Sequence, residues 1–126
     1  MNEPRPLVLC ADDDEDILSL VALRLERAGF DVAKVGDGEA AIEAARTLRP
    51  AVAVLDVMMP RRTGLEVLEA LRADPSLDEM KVILLSARVQ QSDAERGIAA
   101  GADAYLAKPF KAPELVAAIE ELLGRR

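Results

Sequence analysis

The chain has 126 residues, a formal net charge of −7, no histidine and one cysteine, and 51% of its residues are hydrophobic. That length accommodates one domain with one sizeable core. The composition excludes an internal disulfide, disfavours a His/Cys zinc site and histidine-based acid–base chemistry, and points the domain away from nucleic acid and towards a protein partner or a cation.

With no Trp, one Tyr and two Phe, the core must be aliphatic. No apolar run approaches the ~18 residues that span a bilayer. The start, Met1-Asn2-Glu3-Pro4-Arg5-Pro6, lacks the basic and apolar regions of a signal peptide. Together these favour a reducing, cytoplasmic setting with no membrane association, and Cys10 reads as a buried structural thiol.

The predicted elements alternate strand and helix five times. Leu7–Ala11 is an apolar run leading into Asp12-Asp13. Asp14 is placed to cap a helix over about 15–28. Ile17, Leu20, Val21 and Leu25 form its expected apolar face, and Gly29 takes the C′ position. A short strand follows at Asp31–Val35, then a turn at Gly36-Asp37-Gly38 and an Ala-rich helix over 39–48 that stops before Pro50.

The run 51–55 leads into Asp56, and Pro60 and Gly64 introduce a helix over about 65–73, broken by Asp74-Pro75-Ser76. The run 82–85 leads into Ser86, followed by a polar stretch at 88–92 and a short helix ending near Gly101. The last run, 104–107, meets Lys108-Pro109, and a helix covers about 113–123 with Pro113 in its first turn.

Short apolar runs between helical patterns read as buried parallel strands with right-handed crossovers. Five βα units give a flavodoxin-like, doubly wound α/β fold, (βα)5, with a five-stranded parallel sheet in the order 2-1-3-4-5. Such sheets bind ligands beyond the carboxyl ends of their strands, at the switch point between strands 1 and 3. Asp12, Asp13 and Asp56 emerge there, and Ser86 and Lys108 end the next strands. Three carboxylates, a hydroxyl and an ammonium group at one edge suit a divalent cation and a phosphoryl group. A calcium loop through Asp12, Asp14 and Asp16 fails, because Ile17 stands where glycine is needed and Leu23 where a bidentate glutamate is needed.

Four segments, Ala-Asp-Asp-Asp at 11–14, Leu-Asp-Val-Met-Met-Pro at 55–60 with Gly64, Leu-Ser-Ala at 85–87, and Gly-Ala-Asp-Ala-Tyr-Leu-Ala-Lys-Pro-Phe at 101–110, occur in order. Together they resemble the receiver domain of bacterial two-component response regulators, of the chemotaxis-regulator kind, over essentially the whole chain from Leu7 to about Leu123. The chain then reads as a single receiver domain, 1–126, either stand-alone or part of a larger regulator.

The resemblance implies that Asp56 accepts a phosphoryl group from a phosphohistidine of a sensor histidine kinase or a histidine phosphotransfer protein. It implies Mg2+, with Mn2+ as a substitute, held by Asp12, Asp13, Asp56 and the backbone carbonyl of Met58. Lys108, before a peptide bond that is typically cis in the family, contacts the phosphoryl group as a point charge. Ser86 donates its hydroxyl to the same group, and Tyr105 is the switch aromatic that turns inward behind it. Gly64, Gly101 and Pro60 shape loops. The donor docks on the first helix and the loop after Lys108. The output face, around Gly97, Tyr105 and Pro113, meets a downstream effector or a fused output domain.

In the family it resembles, the positions held here by Met58 and Arg88 tune phosphoryl lifetime, which implies a longer-lived aspartyl phosphate than in chemotaxis receivers. Ala104 and Ala118 leave incomplete the charge ladder that joins dimers of the DNA-binding subfamily. Such a domain is a phosphoacceptor rather than an enzyme acting on foreign substrates. An α/β phosphatase with an aspartate nucleophile would carry a second Asp where Met58 stands. A flavodoxin-like cofactor binder would need a phosphate-cradling loop where the acidic run stands. A degenerate scaffold would not need all five site residues.

Overall fold

The computed structural model describes residues 5–87 and 91–124, excepting the side chains of 91–94. Five strands form one parallel sheet: β1 (Leu7–Ala11), β2 (Asp31–Val35), β3 (Val52–Asp56), β4 (Lys81–Ser86) and β5 (Ala104–Ala107), in the order β2-β1-β3-β4-β5. The helices are α1 (Glu15–Arg27), α2 (Gly38–Leu48), α3 (Gly64–Arg72), α4 (Gln91–Ala99) and α5 (Ala112–Leu122). This is the flavodoxin-like order expected from the alternation of elements.

Residues alternate across the sheet with the period of two that a strand imposes. Val8, Cys10, Val52, Val54, Ile83 and Leu85 face Leu18, Val21 and Leu25 of α1 and Leu115 and Ile119 of α5. Leu9, Ala11, Ala53, Leu55, Val82 and Leu84 face Ala41, Ile42 and Ala45 of α2 and Val67, Leu68 and Leu71 of α3. The three central strands are buried on both sides, so their sequences are continuously apolar. Burial pushes the Cys10 thiol up to about 12, with Asp12 adding to the effect. It is an inert core thiol.

One expected apolar face is corrected. Leu20 is 56% exposed, and the buried stripe of α1 is Leu18, Val21, Ala22 and Leu25. A helix buries positions i, i+3, i+4 and i+7, and the stripe starting at Leu18 satisfies that pattern while turning Leu20 outward. Asp14 caps α1 as expected, accepting from the backbone of Asp16 and Ile17. Gly29 follows the C-cap with φ +104°.

Element bounds shift by one residue at α1, α2, β3, β4, α3 and α5. A capping box causes the shift at α3: Thr63 Oγ1 accepts from Glu66 N, and Glu66 Oε1 accepts from Thr63 N. Asp74-Pro75-Ser76 opens a short 3-10 turn, Pro75–Leu77, where a simple break was expected. Nearby, Arg72 donates to Gly101 O and Met80 O and pairs with Asp103, tying α3 to the turns before β4 and β5. Asp103, the acid beside Ala104, is thus paired within the domain.

Candidate functional site

Strand register brings the site residues together. Ala11 pairs with Leu55, so Asp12 and Asp56, one position further on, end adjacent strands. Asp56 pairs with Leu85, which places Ser86 one residue beyond it. Ser86 pairs with Ala107, and the next residue is Lys108. Asp12, Asp56 and Ser86 are the buried polar or charged residues among those described. A core this aliphatic admits polar groups only where they have partners or a task.

Both buried carboxylates are divided between two kinds of donor. Lys108 Nζ donates to Asp12 Oδ2 at 2.8 Å and to Asp56 Oδ2 at 3.1 Å. The other oxygens accept from backbone: Asp12 Oδ1 from Asp14 N at 2.9 Å and Asp56 Oδ1 from Met58 N at 3.3 Å. Burial pushes the Asp56 carboxyl above its ordinary value and the Asp12 charge adds to this, while Lys108 and the Met58 N–H offset part of it. Burial works against the Lys108 ammonium as well, but its bonds to the two carboxylates outweigh that and hold it above the usual lysine value.

Asp13 is exposed and completes a cluster of three carboxylates whose nearest oxygens all lie within 4.8 Å of one another. The donor set is all oxygen and multiply negative, which suits a hard dication. These three carboxylates would hold Mg2+, which would relieve the repulsion among them. The Met58 side chain is 71% exposed, leaving its backbone as the part of that residue turned to the site.

Lys108 N donates to Ser86 O at 2.7 Å, which fixes the strand end that carries Ser86. The Lys108–Pro109 bond is cis. Tyr105 is half-buried and pairs with Leu84, so it shares the sheet face of Ser86. Its ring lies beside Gly97 of α4, where a Cβ would come within 3.3 Å of it. Arg88, expected to influence phosphoryl lifetime, lies outside the described residues.

Gly64 holds the floor of the site. A Cβ there would lie 2.5 Å from the Asp56 carbonyl oxygen, so only glycine lets α3 start this close to β3. Gly101 has φ +112°, a conformation that favours glycine.

The family model of the response regulator receiver domain matches residues 8–120. The chain belongs to the response regulator receiver family. It is 38% identical over 125 residues to the DNA-binding response regulator MtrA of Mycolicibacterium smegmatis, covering 99% of this chain and 54% of that protein. It is 45% identical over 121 residues to the transcriptional regulatory protein PrrA of Mycobacterium bovis, covering 96% of this chain and 51% of that one. The chain therefore spans about half the length of these curated relatives.

Among solved structures, a Francisella response regulator 1452 receiver domain superposes with a TM-score of 0.90 at 35% identity, covering 96% of this chain and 98% of that one. The chemotaxis response regulator CheY4 of Vibrio cholerae gives a TM-score of 0.89 at 29% identity, covering 94% and 99%. The receiver fold is thus shared with response regulators, which are signalling proteins, and this chain carries an acidic pocket of Asp12, Asp13 and Asp56.

The loop between Asp56 and Gly64 holds the residues that sequence reasoning missed. Arg62 Nε donates to Glu39 Oε1 at 2.7 Å, and Arg61 Nε lies 3.6 Å from Asp37 Oδ2. Arg61 has φ +71°. An arginine carries no sequence signal for that conformation. The Thr63-x-x-Glu66 spacing of the capping box, by contrast, was readable.

Proposed function

We propose that this receiver, 1–126 with its core at about 7–123, accepts a phosphoryl group on Asp56 from a phosphohistidine. A sensor histidine kinase or a histidine phosphotransfer protein supplies it. The carrying observation is Lys108 Nζ bound to Asp12 and Asp56 beside a three-carboxylate cluster. An Asp56 carboxylate oxygen attacks phosphorus, the P–N bond to the donor imidazole breaks, and the imidazole leaves with a proton from water. The carboxylate must approach an anion, so positive charge must already be in place.

Asp12, Asp13, Asp56 and the Met58 carbonyl would hold Mg2+ (or Mn2+), which supplies charge neutralisation between the carboxylates and the phosphoryl oxygens. Lys108, already at Asp56 Oδ2, moves with that oxygen onto the transferred group. Ser86, one residue beyond the strand partner of Asp56, offers its hydroxyl, and Tyr105 on the same face follows it as the switch. The protein acts on its own phosphorylation and dephosphorylation and does not turn over foreign phosphoesters: the position two residues after Asp56, where an acid–base Asp would stand, holds the exposed Met58.

A groove of about 360 Å3 lies between α1 and the loop after Lys108, lined by Ile17, Leu20, Val21, Pro109 and Phe110. It supports docking of the donor there, and accounts for Leu20 facing outward. The effector or output domain meets the face around Gly97, Tyr105 and Pro113, and the domain itself does not contact nucleic acid. Among the described residues no helix is long and apolar enough to cross a membrane. A cytoplasmic setting accords with that and with the free thiol of Cys10.

The test is intact mass after incubation with acetyl phosphate, with and without Mg2+, for wild type and Asp56→Asn. A single Mg2+-dependent phosphoryl increment absent from the variant is expected. No increment under any condition would overturn the proposal.

A further inference from the structure

We infer that the N-terminus of α2 latches the loop after β3 in place, with Gly38 and Arg62 as positioning residues for the metal site. This rests on the reading that Mg2+ binds Asp12, Asp13, Asp56 and the Met58 carbonyl. The loop contains a strained element. Arg62 N donates to Pro60 O at 2.8 Å across Arg61, whose φ is +71°. A γ-turn with positive φ at its centre is rare and strained, and persists only where its surroundings hold it.

The surroundings come from one turn of α2. Gly38 N donates to the same Pro60 oxygen at 3.3 Å. A Cβ on Gly38 would overlap the carbonyl oxygen and Cβ of Arg62, so the two backbones meet only because residue 38 is glycine. Glu39 binds the Arg62 guanidinium at 2.7 Å. Asp37 caps α2 through Oδ1, on Ala40 N, while its Oδ2 faces Arg61. At the loop's far end Gly64 N donates to Val57 O at 2.9 Å. The backbone of Met58 thus lies between two clamps. Its N–H caps Asp56 Oδ1, so a shift of the loop moves both the carbonyl offered to the metal and one oxygen of Asp56. Groups that orient metal ligands without touching the metal commonly change affinity when altered.

The experiment is titration calorimetry of Mg2+ into the whole chain, with amide hydrogen exchange of residues 57–62 on the same proteins. Gly38→Ala is expected to weaken Mg2+ binding about tenfold, at a temperature where circular dichroism shows it folded. Arg62→Gln and Glu39→Gln are expected to weaken it about two- to fivefold, as befits an exposed ion pair. The exchanged pair, Arg62→Glu with Glu39→Arg, is expected to restore the wild-type constant to within about twofold. Exchange at 57–62 speeds up in the weakened variants while that of β1 and β3 does not.

A folded Gly38→Ala that binds Mg2+ like wild type overturns the latch. Should Gly38→Ala not fold, wild-type affinity and exchange in Arg62→Gln overturn it instead. Absence of Mg2+ binding by wild type overturns the metal reading itself, and the inference with it, which separates that failure from failure of the latch.

Discussion

Gly64→Ala is the sharpest test of how β3 and α3 share the site. The added Cβ would lie 2.5 Å from Asp56 O, 3.0 Å from Asp56 C and 3.0 Å from Val57 Cα. All three are backbone atoms, so no side chain can rotate away. Overpacking of this kind costs about 1–3 kcal/mol, and rigid neighbours place it near the upper end. Replacing Gly also removes unfolded-state entropy, which returns about 0.4–1 kcal/mol where the backbone is compatible. A net loss of about 2 kcal/mol remains, or about 6–10 °C in melting temperature for a domain of this size.

Gly36→Ala is the control, because a Cβ there meets nothing within 4 Å and its φ lies outside the left-handed range. It should leave the melting temperature unchanged or raise it slightly. Circular dichroism melts of both variants measure the difference, and acetyl phosphate labelling reports on the displaced Asp56. Equal melting temperatures for the two variants would refute the claim that Gly64 is required by contact with Asp56.

Three further outcomes are expected. Asp56→Asn should be more stable than wild type at neutral pH without Mg2+, because the folded carboxyl sits above its ordinary value of 3.8 and its ionised form opposes folding. That penalty is absent below the unfolded value and grows as pH rises towards the folded one. The gap between variant and wild type should therefore close on acidification, and a gap that widens there would refute it. Lys108→Met leaves Asp12 and Asp56 buried without their shared cation, at a cost of about 3–5 kcal/mol in chelator. Saturating Mg2+ should raise its melting temperature more than that of wild type, and an equal or smaller rise would count against the shared-cation picture. Met58→Asn should shorten the aspartyl phosphate lifetime, since an amide can hydrogen-bond an attacking water and a thioether cannot do so well. Lifetimes followed by intact mass that do not differ would remove Met58 from that role.

The strand ends and their polar residues were legible because both needs act on the same positions. A central parallel strand must be apolar until it leaves the sheet, and the ligand edge begins where it leaves. Asp12, Asp56, Ser86 and Lys108 each stand at that transition, so the hydrophobic run announces the residue that follows it. The Asp14 cap and Gly29 were legible for a similar reason, as local devices with local signatures. Leu20 was misplaced because α1 carries leucines on more than one face, and only contact with the sheet selects the stripe through Leu18 and Leu25.

The loop after β3 was least legible, and the reason is distance along the chain. Gly38 looks like a turn residue, yet its glycine is demanded by the backbone of Arg62. Arg62 looks like a solvated charge, yet it answers Glu39, 23 residues earlier. Nothing local marks Arg61 for positive φ, because the strain is held by another element rather than relieved by its own side chain. The same principle governs Lys108, which bridges carboxylates 96 and 52 residues before it. There the partners are legible, because strand register fixes where residues 12, 56 and 108 emerge. No register links the α2 terminus to the loop, so their pairing is decided by tertiary contacts: the Gly38–Pro60 hydrogen bond, the Glu39–Arg62 ion pair and the close approach at Gly38. Substitutions in that loop should therefore respond to changes at Gly38 and Glu39, which a pattern-based reading would treat as independent of the site.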